Sequence, residues 1–201
     1  MVFLRAAPAF ETAHPVTGAG VVLRAPQLHD YLPWAELRSA SRDHLTPWEP
    51  LWPLDDLTRS SFRRRLRHYA NEARDDHGYA FFIFENATGR LTGGVTLSNV
   101  RRGVTQSATL GYWMGAAFAS RGVMSASVAT LIPFAFQTLR LHRLEAATLP
   151  SNAASIRVLE KSGFEREGYA RSYLKINGTW QDHVLYGRLA QDAANPARVM
   201  P

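Results

Sequence analysis

Hydrophobic residues recur at helical spacing in two parts of the chain. Over residues 27–40 they fall every three or four positions, and Met124, Val128 and Leu131 mark one face of a later helix. That later helix contains Pro133 well beyond its first turn, which predicts a kink or an early end there.

Two further helices are predicted from the charges and caps at their ends. Asp55 and Asp56 would begin a helix that runs to about Arg74, because acidic residues stabilise the positive N-terminal end of a helix dipole. Asn152 would cap a helix over residues 153–162, since its side-chain oxygen can accept from a free N–H of the first turn.

Alternation of apolar and polar positions, with many aromatic and β-branched residues, predicts the strands. The predicted strands cover residues 21–24, 79–85, 91–98, 107–114, 143–149, 164–176 and 180–189. The last two would form a hairpin across Asn177-Gly178, a dipeptide that favours tight turns. Helices and strands together indicate an α/β protein.

The ends of the chain differ from its middle. Residues 1–19 are rich in Ala, Pro, Thr and Gly without a period, and we expect a flexible N-terminal arm there. One domain would follow over residues 20–190, and residues 191–201 would form a C-terminal tail. A chain of 201 residues buries roughly 70% of its unfolded surface, so it needs neither disulfides nor a structural metal.

The charge balance is basic, with 23 Lys and Arg against 17 Asp and Glu and a formal net charge of +6. We therefore expect an anionic partner, such as a phosphate-bearing cofactor, RNA or a membrane surface. Cysteine is absent, which excludes disulfides, thiolate nucleophiles and zinc sites built on cysteine. The seven histidines show no metal-ligand spacing, so we expect no metal cofactor.

One uncharged stretch, residues 122–139, raises the question of a membrane span. It contains Pro133 and several Ser, Thr and Gln residues, whereas a spanning helix needs about 20 predominantly apolar residues. The first residues show no long apolar core behind a positive charge, so they do not resemble a secretion signal. We expect a cytoplasmic protein that does not enter a membrane.

A strand, a basic loop with a glycine and a helix start follow one another at residues 111–125. The free N–H groups at a helix N-terminus bind phosphate readily, and Arg121 in the loop would add a cation. A plain strand-to-helix connection would have the same composition. No Gly-x-x-x-x-Gly-Lys or Gly-x-Gly-x-x-Gly motif is present, which argues against nucleotide hydrolysis and dinucleotide binding.

A second element, Pro150-Ser-Asn-Ala-Ala-Ser155 through Gly163-Phe164, follows at a fixed distance along the chain. Together the two elements resemble the GNAT superfamily of acyl-CoA N-acyltransferases, over about residues 20–189. Four further segments are similar to the RimJ-like branch, the ribosomal-protein-alanine N-acetyltransferases: Leu45-Thr-Pro-Trp-Glu-Pro50, Leu97-Ser-Asn-Val100, Gly168-Tyr-Ala-Arg-Ser-Tyr-Leu174 and Trp180-Gln-Asp-His-Val-Leu185.

The resemblance implies a fold, a co-substrate and a set of binding residues. The fold would be a mixed, splayed central sheet of about six to seven strands flanked by helices. Acetyl-CoA would bind at the fourth strand of that fold and the helix after it. The residues carried over for acetyl-CoA binding are Trp113, Met114, Arg121, Gly122, Val123, Met124, Ser125, Asn152 and Ser155.

Acetyl transfer to an amine also needs an acid for the leaving thiolate and a neutral amine. Many GNAT enzymes place a tyrosine seven residues after the asparagine, but that position is Leu159 here, so Ser155 becomes the candidate acid. Glu49 is the first candidate for a base and Glu145 the second, and an ordered water could replace both. Each of these residues could equally be structural.

The resemblance implies that the acceptor is the N-terminal α-amine of a protein, such as a ribosomal protein. An α-amine has a pKa near 7.7 to 8.0 against about 10.4 for lysine, so a strong base is not required. The basic segment Arg59 to His68 could contact ribosomal RNA, or it could be a solvated helix face. The alternatives are a small-molecule or antibiotic N-acetyltransferase and a non-catalytic acyl-CoA-binding or ribosome-associated module.

Overall fold

A single mixed sheet of eight strands forms the centre of the protein. The computed structural model describes residues 15–193. The strands are β1 (Val16–Gly18), β2 (Val21–Arg24), β3 (Tyr79–Glu85), β4 (Leu91–Arg101), β5 (Ser107–Met114), β6 (Arg143–Thr148), β7 (Glu165–Ile176) and β8 (Thr179–Leu189). They lie in the order β1-β2-β3-β4-β5-β6-β8-β7. All neighbours are antiparallel except β5 and β6, which are parallel.

Eight strands are one more than the upper end of the predicted range, because a short strand lies in the predicted arm. Val16–Gly18 pairs with β2, with Val16 opposite Leu23. The ordered fold therefore begins before residue 20. The rest of the predicted arm, residues 1–14, and most of the predicted tail, residues 194–201, lie outside the described residues.

Residues 15–193 contain five α-helices, of which four pack on the two faces of the sheet. The five helices are α1 (Tyr31–Ala40), α2 (Arg42–Leu45), α3 (Arg59–Arg74), α4 (Val123–Pro133) and α5 (Ala153–Lys161). The α-helical hydrogen bonding of α4 ends at Pro133 and a π-helical turn follows over Phe134–Thr138. The expected break at this proline is confirmed.

Helix α3 begins at Arg59, four residues later than predicted. Thr58 caps it by accepting from the Ser61 N–H. The two acids that suggested an earlier start lie in the preceding turns, where Asp55 pairs with Arg64 and Asp56 with Arg65. They bind arginines of the second helical turn instead of opening the helix.

The alternation of side chains along β3 separates two hydrophobic cores. Phe81 and Ile83 face the larger core, which is shared with α4 and α5. Phe82 faces the smaller one, where Trp34 of α1 and Phe62 of α3 are almost fully buried. Helices α4 and α5 therefore cover one face of the sheet, and α1 and α3 cover the other.

Strands β5 and β6 separate towards one end, and this separation positions the site described below. Their pairing runs from Ser107 opposite Arg143 to Thr109 opposite Glu145 and stops there. The remaining half of β5 has β4 as its only strand neighbour within the described sheet. Among residues 15–193 no helix has the length and apolar character that crossing a bilayer requires.

Candidate functional site

A cavity of about 340 Å³ opens where β5 and β6 diverge. Its lining comes from both faces of the sheet: the N-terminal ends of α4 and α5 on one, and the segment His44–Glu49 on the other. Nine of the eleven residues predicted for binding or catalysis line it, and Arg121 and Glu145 do not. These nine are Glu49, Trp113, Met114, Gly122, Val123, Met124, Ser125, Asn152 and Ser155.

The N-terminus of α4 supplies free hydrogen-bond donors to this cavity. Gly122 precedes the helix with φ +79°, a left-handed conformation that glycine adopts without strain, and no side chain caps the helix. The first helical bond is donated by the Ala126 N–H to the Gly122 carbonyl. The N–H groups of residues 123–125 are therefore available to an anion, reinforced by the helix dipole.

Strand β5 supplies an open backbone edge. Trp113 and Met114 pair on one side with Gly94 and Gly93 of β4, and the other side lies beyond the last pair with β6. Gly94 leaves room for the indole, because a Cβ there would lie 2.4 Å from Trp113 Nε1. An extended ligand arm could bind along this edge as an added strand does.

The start of α5 places a hydroxyl pair at the cavity. Asn152 caps the helix by accepting from the Ser155 N–H at 3.0 Å, as predicted. The Ser155 hydroxyl lies 2.8 Å from the Tyr112 hydroxyl, and Tyr112 also reaches the Ser155 carbonyl at 3.3 Å. Burial raises the pKa of Tyr112 to about 12, so its phenol stays protonated at neutral pH.

Tyr112 is the functional residue that the sequence analysis missed. It lies one position before Trp113, and strand alternation points it to the opposite face of the sheet, towards α5. It brings a phenol to Ser155 even though the helix position expected to carry one is Leu159, which is buried in the core. The alternation of β5 was the available signal, but the partner lies 43 residues away along the chain.

Glu49 lines the cavity on the side opposite α5, and both of its carboxylate oxygens accept hydrogen bonds from neighbouring side chains. Arg38 donates to both of its oxygens, at 2.9 Å and 2.6 Å, and the Trp52 indole donates to Oε2 at 2.7 Å. The Arg38 guanidinium carbon lies 4.1 Å from the ring centre of Trp52 and 5.0 Å from that of Trp113. Three acceptor directions are thus used, and a carboxylate has about four.

Backbone contacts fix the segment that carries Glu49. The Asn177 N–H, in the β7–β8 turn, donates to the Glu49 carbonyl at 2.8 Å. The Ala116 N–H, between β5 and α4, donates to the Ser41 hydroxyl at 2.9 Å. The wall opposite α5 is therefore tied both to the last hairpin and to the loop before α4. Trp48 lines the cavity, whereas Trp34 is 1% exposed and belongs to the core.

The cations near the cavity differ from the predicted one. Arg121 is exposed, with its guanidinium carbon 5.9 Å from the Phe118 ring centre, and it is not part of the lining. Arg157 and Lys161, one turn apart on α5, do line the cavity. They lie three and seven residues after Ala154, which also lines the cavity, so the helical period of α5 was the available signal.

Other residues considered from the sequence lie away from this cavity. Glu145 pairs with Arg101 at 2.6 Å and with Arg143 at 3.0 Å. Along Arg59 to His68, two arginines pair with acids of the same chain, and an RNA contact by this helix stays a prediction. Within residues 15–193 no three His, Asp or Glu side chains are arranged to hold a metal ion.

Comparison with known proteins shows similarity to acetyltransferases over most of the domain. Residues 21–165 match the family model described as an acetyltransferase (GNAT) domain. The Bacillus subtilis protein named Probable N-acetyltransferase YjcK is 38% identical over 156 residues, which cover 78% of this chain and 86% of that protein. The Escherichia coli ribosomal protein uS5-alanine N-acetyltransferase is 32% identical over 160 residues, or 79% and 82% of the two chains.

A solved relative supports both the fold and the ligand class of the cavity. The structure of Mycobacterium smegmatis RimJ in complex with CoA-disulfide superposes with a TM-score of 0.83 at 32% identity, covering 89% of this chain and 87% of that one. The splayed sheet, the free helix N-terminus and the similarity to these relatives all indicate the same family. The chain belongs to the GNAT family and is an N-acetyltransferase of that type.

Proposed function

We propose that this protein transfers an acetyl group directly from acetyl-CoA to the N-terminal α-amine of a protein. The observation that carries the proposal is one cavity that passes between β5 and β6 and joins three features: the free N-terminus of α4, the open edge of β5 and the hydroxyl pair of Tyr112 and Ser155.

The cavity offers groups for the pyrophosphate, the pantetheine arm and the thioester of acetyl-CoA. The N–H groups at residues 123–125 are donors for the pyrophosphate, and Arg157 and Lys161 add positive charge beside them. Arg121, exposed at the rim, is a further candidate for the phosphates. The backbone of Trp113 and Met114 would hold the pantetheine arm, which brings the thioester towards Ser155.

In the reaction, the amine nitrogen attacks the thioester carbonyl, the carbon–sulfur bond breaks, and one proton moves from nitrogen to solvent while another reaches sulfur. Ser155 is our candidate to donate the proton that the leaving thiolate needs. Either hydroxyl could donate in the 2.8 Å contact between Tyr112 and Ser155; when Tyr112 donates to Ser155 Oγ, the serine proton is free to point into the cavity. The backbone N–H groups near Trp113 and Met114 are candidates to stabilise the oxyanion.

Glu49 remains our first candidate for the base. It lies on the side of the cavity opposite Ser155, and its one unused acceptor direction suits an incoming amine. Glu145 is a weaker candidate, because it does not line this cavity. An α-amine has a pKa of about 7.7 to 8.0, so a substantial fraction is already neutral near that pH and a strong base is not required.

An α-amine acceptor is also supported by the relatives, of which one is named for acting on the alanine of ribosomal protein uS5. The test is a thiol-release assay with acetyl-CoA over a panel of Ala- and Ser-starting peptides, free small amines and purified ribosomal proteins. We expect release with the peptides and proteins. Release with small amines alone would favour a small-molecule acetyltransferase, and CoA binding without release would favour a non-catalytic module.

A further inference from the structure

A second cavity, of about 510 Å³, lies on the same face of β5 as Trp113. Its lining is polar and includes Glu72 at the end of α3, Arg101 of β4, Thr109 of β5 and Tyr173 of β7. Thr109 and Trp113 are four residues apart on one strand, so their side chains share a face and lie about 13 Å from each other.

The strip of β5 between the two cavities is open. Gly111 lies midway on this face, is exposed, and has no atom within 4 Å of the place that a Cβ would occupy. Its backbone does not need glycine, because its φ lies outside the left-handed region. A glycine in a strand interior often marks a place where another backbone approaches closely.

The floor beside Gly111 offers polar partners. In the register with β4, Thr96 lies opposite Gly111, and Ser98 lies opposite Thr109. Cross-strand partners share a face of the sheet, so hydroxyl groups flank the strip. The strip is therefore an unobstructed path with a polar floor. It begins at the first cavity and ends at the second one.

We propose that the acceptor polypeptide lies extended along this path, over Gly111, with its α-amine at the catalytic cavity and its fourth or fifth residue at the second cavity. The occupant is a polypeptide because a span of about 13 Å corresponds to about four extended residues and the floor suits backbone hydrogen bonding. The inference rests on the proposed function and specifies which acceptors it accepts: chains of at least four residues.

The test compares α-amine acceptors of two and six residues with the same first two residues. In the wild-type protein, kcat/KM should be at least tenfold higher for the hexapeptide. Gly111→Leu fills the path, and that ratio should fall towards one, with Gly111→Ala in between. Thr17→Leu, at an exposed position of β1 on the far edge of the sheet, serves as the control and should keep the wild-type ratio.

Circular dichroism and the unfolding midpoint would first establish that Gly111→Leu is folded, as the open space around the Cβ predicts. Equal use of both peptide lengths by the wild type, or an equal loss on both in Gly111→Leu, would overturn the path while leaving α-amine acetylation intact. A wild-type protein that acetylates neither peptide, yet acetylates small amines, would overturn the proposed function and the path together.

Discussion

The direction of one proton at Ser155 decides whether this residue can serve the leaving thiolate. If Tyr112 donates to the Ser155 hydroxyl, at 2.8 Å, the serine proton is free for the cavity. If Tyr112 instead donates to the Ser155 carbonyl, at 3.3 Å, the serine proton would be spent on the phenol oxygen. The 2.8 Å contact between the two hydroxyls is made in both arrangements; we propose the first, in which Tyr112 is a positioning residue that acts through Ser155.

A double-mutant cycle tests this coupling. Ser155→Ala should lower kcat about 100-fold, the low end of general acid catalysis, with little change in acetyl-CoA affinity. Tyr112→Phe keeps the ring and should lower kcat about tenfold, the worth of one hydrogen bond. Because Tyr112 acts through Ser155, adding Tyr112→Phe to Ser155→Ala should cost less than twofold. A tenfold loss in both backgrounds would show that Tyr112 acts independently.

Glu49 has a structural task that must be separated from a chemical one. It neutralises Arg38, whose side chain is only 8% exposed. Glu49→Ala leaves that cation buried with Asp56, at 3.9 Å, as its remaining acidic partner, and should lower the free energy of unfolding by about 3 kcal/mol in urea titrations. Asp75→Ala, which breaks the exposed Arg74 pair, is the control and should leave the urea midpoint near the wild-type value.

The double variant Arg38→Met with Glu49→Leu removes both charges and should recover most of the lost stability, because apolar replacements of a buried ion pair are often tolerated. If Glu49 is the base, its loss should still lower kcat in this double variant. Steady-state kinetics of this variant should therefore show kcat well below wild type. Recovery of kcat together with stability would make Glu49 a structural residue only.

At the level of elements, the N-terminus of α4 needs a special backbone for its donors to face the cavity. Gly122 at φ +79° turns the chain into the helix, and nothing lies within 4 Å of its missing Cβ. A side chain there would meet no neighbour but would strain the backbone by about 1 to 2 kcal/mol. Relief of that strain would reorient the N–H groups that we propose for the pyrophosphate.

We therefore expect Gly122→Ala to weaken CoA binding about five- to tenfold in calorimetric titrations. Gly103→Ala is a matched control, since Gly103 has φ +67° and an equally open surrounding in the turn between β4 and β5. Both variants should lose similar stability, but only Gly122→Ala should lose CoA affinity. Equal CoA affinity in the two variants would contradict a phosphate site at α4.

The junction between α3 and β3 gives a pH-dependent contribution to stability. Asp76 accepts from Arg102 at 2.6 Å and from the Tyr79 hydroxyl at 2.7 Å. Burial raises the pKa of Asp76, but these hydrogen bonds outweigh it, and the pKa lies below its usual value. The carboxylate thus stabilises the fold above the unfolded pKa of about 3.9, and this stability is lost as pH falls through the folded pKa.

Asp76→Asn should accordingly have a lower denaturation midpoint than wild type at pH 7, and the gap should close as the pH falls below about 4. Guanidinium titrations at pH 7, 5 and 3 measure this. Asp43→Asn, at an exposed position of α2, should show no such gap. A gap that stays constant down to pH 3 would mean that the ionised carboxylate is not the stabilising group.

For the whole molecule, local patterns predicted most elements, while contacts between distant segments had to come from the structure. The three-residue strand Val16–Gly18 is too short to show a period and exists through its pairing with β2. The helix starts of α4 and α5 that line the cavity were predictable because capping and dipole chemistry are local. Tyr112 and Arg38 were not predictable, since their partners lie 43 and 11 residues away and only packing brings them together.

The net charge of +6 is also distributed in a way that the sequence did not show. Arg157 and Lys161 lie at the cavity on α5, whereas two arginines of α3, on the other face of the sheet, pair with Asp55 and Asp56. Basic charge at the α5 side suits a polyanionic co-substrate.

CoA binding should accordingly weaken as salt rises from 0.05 to about 0.5 M, because screening shortens the reach of these cations. The double variant Arg157→Ala with Lys161→Ala should bind CoA about tenfold more weakly at low salt and show a shallower salt dependence. Arg63→Ala, exposed on α3, is the control and should follow the wild-type curve. A wild-type salt dependence in the double variant would place the phosphates elsewhere.

Direct acetylation of an α-amine is the central proposal for this protein, and mass spectrometry can test it. The protein is incubated with acetyl-CoA and a six-residue peptide that begins with alanine and contains an internal lysine, and tandem mass spectrometry locates the added acetyl group. We predict a single acetyl group on the alanine nitrogen, and none when that nitrogen is blocked beforehand. Acetylation of the lysine, or of neither amine, would contradict it.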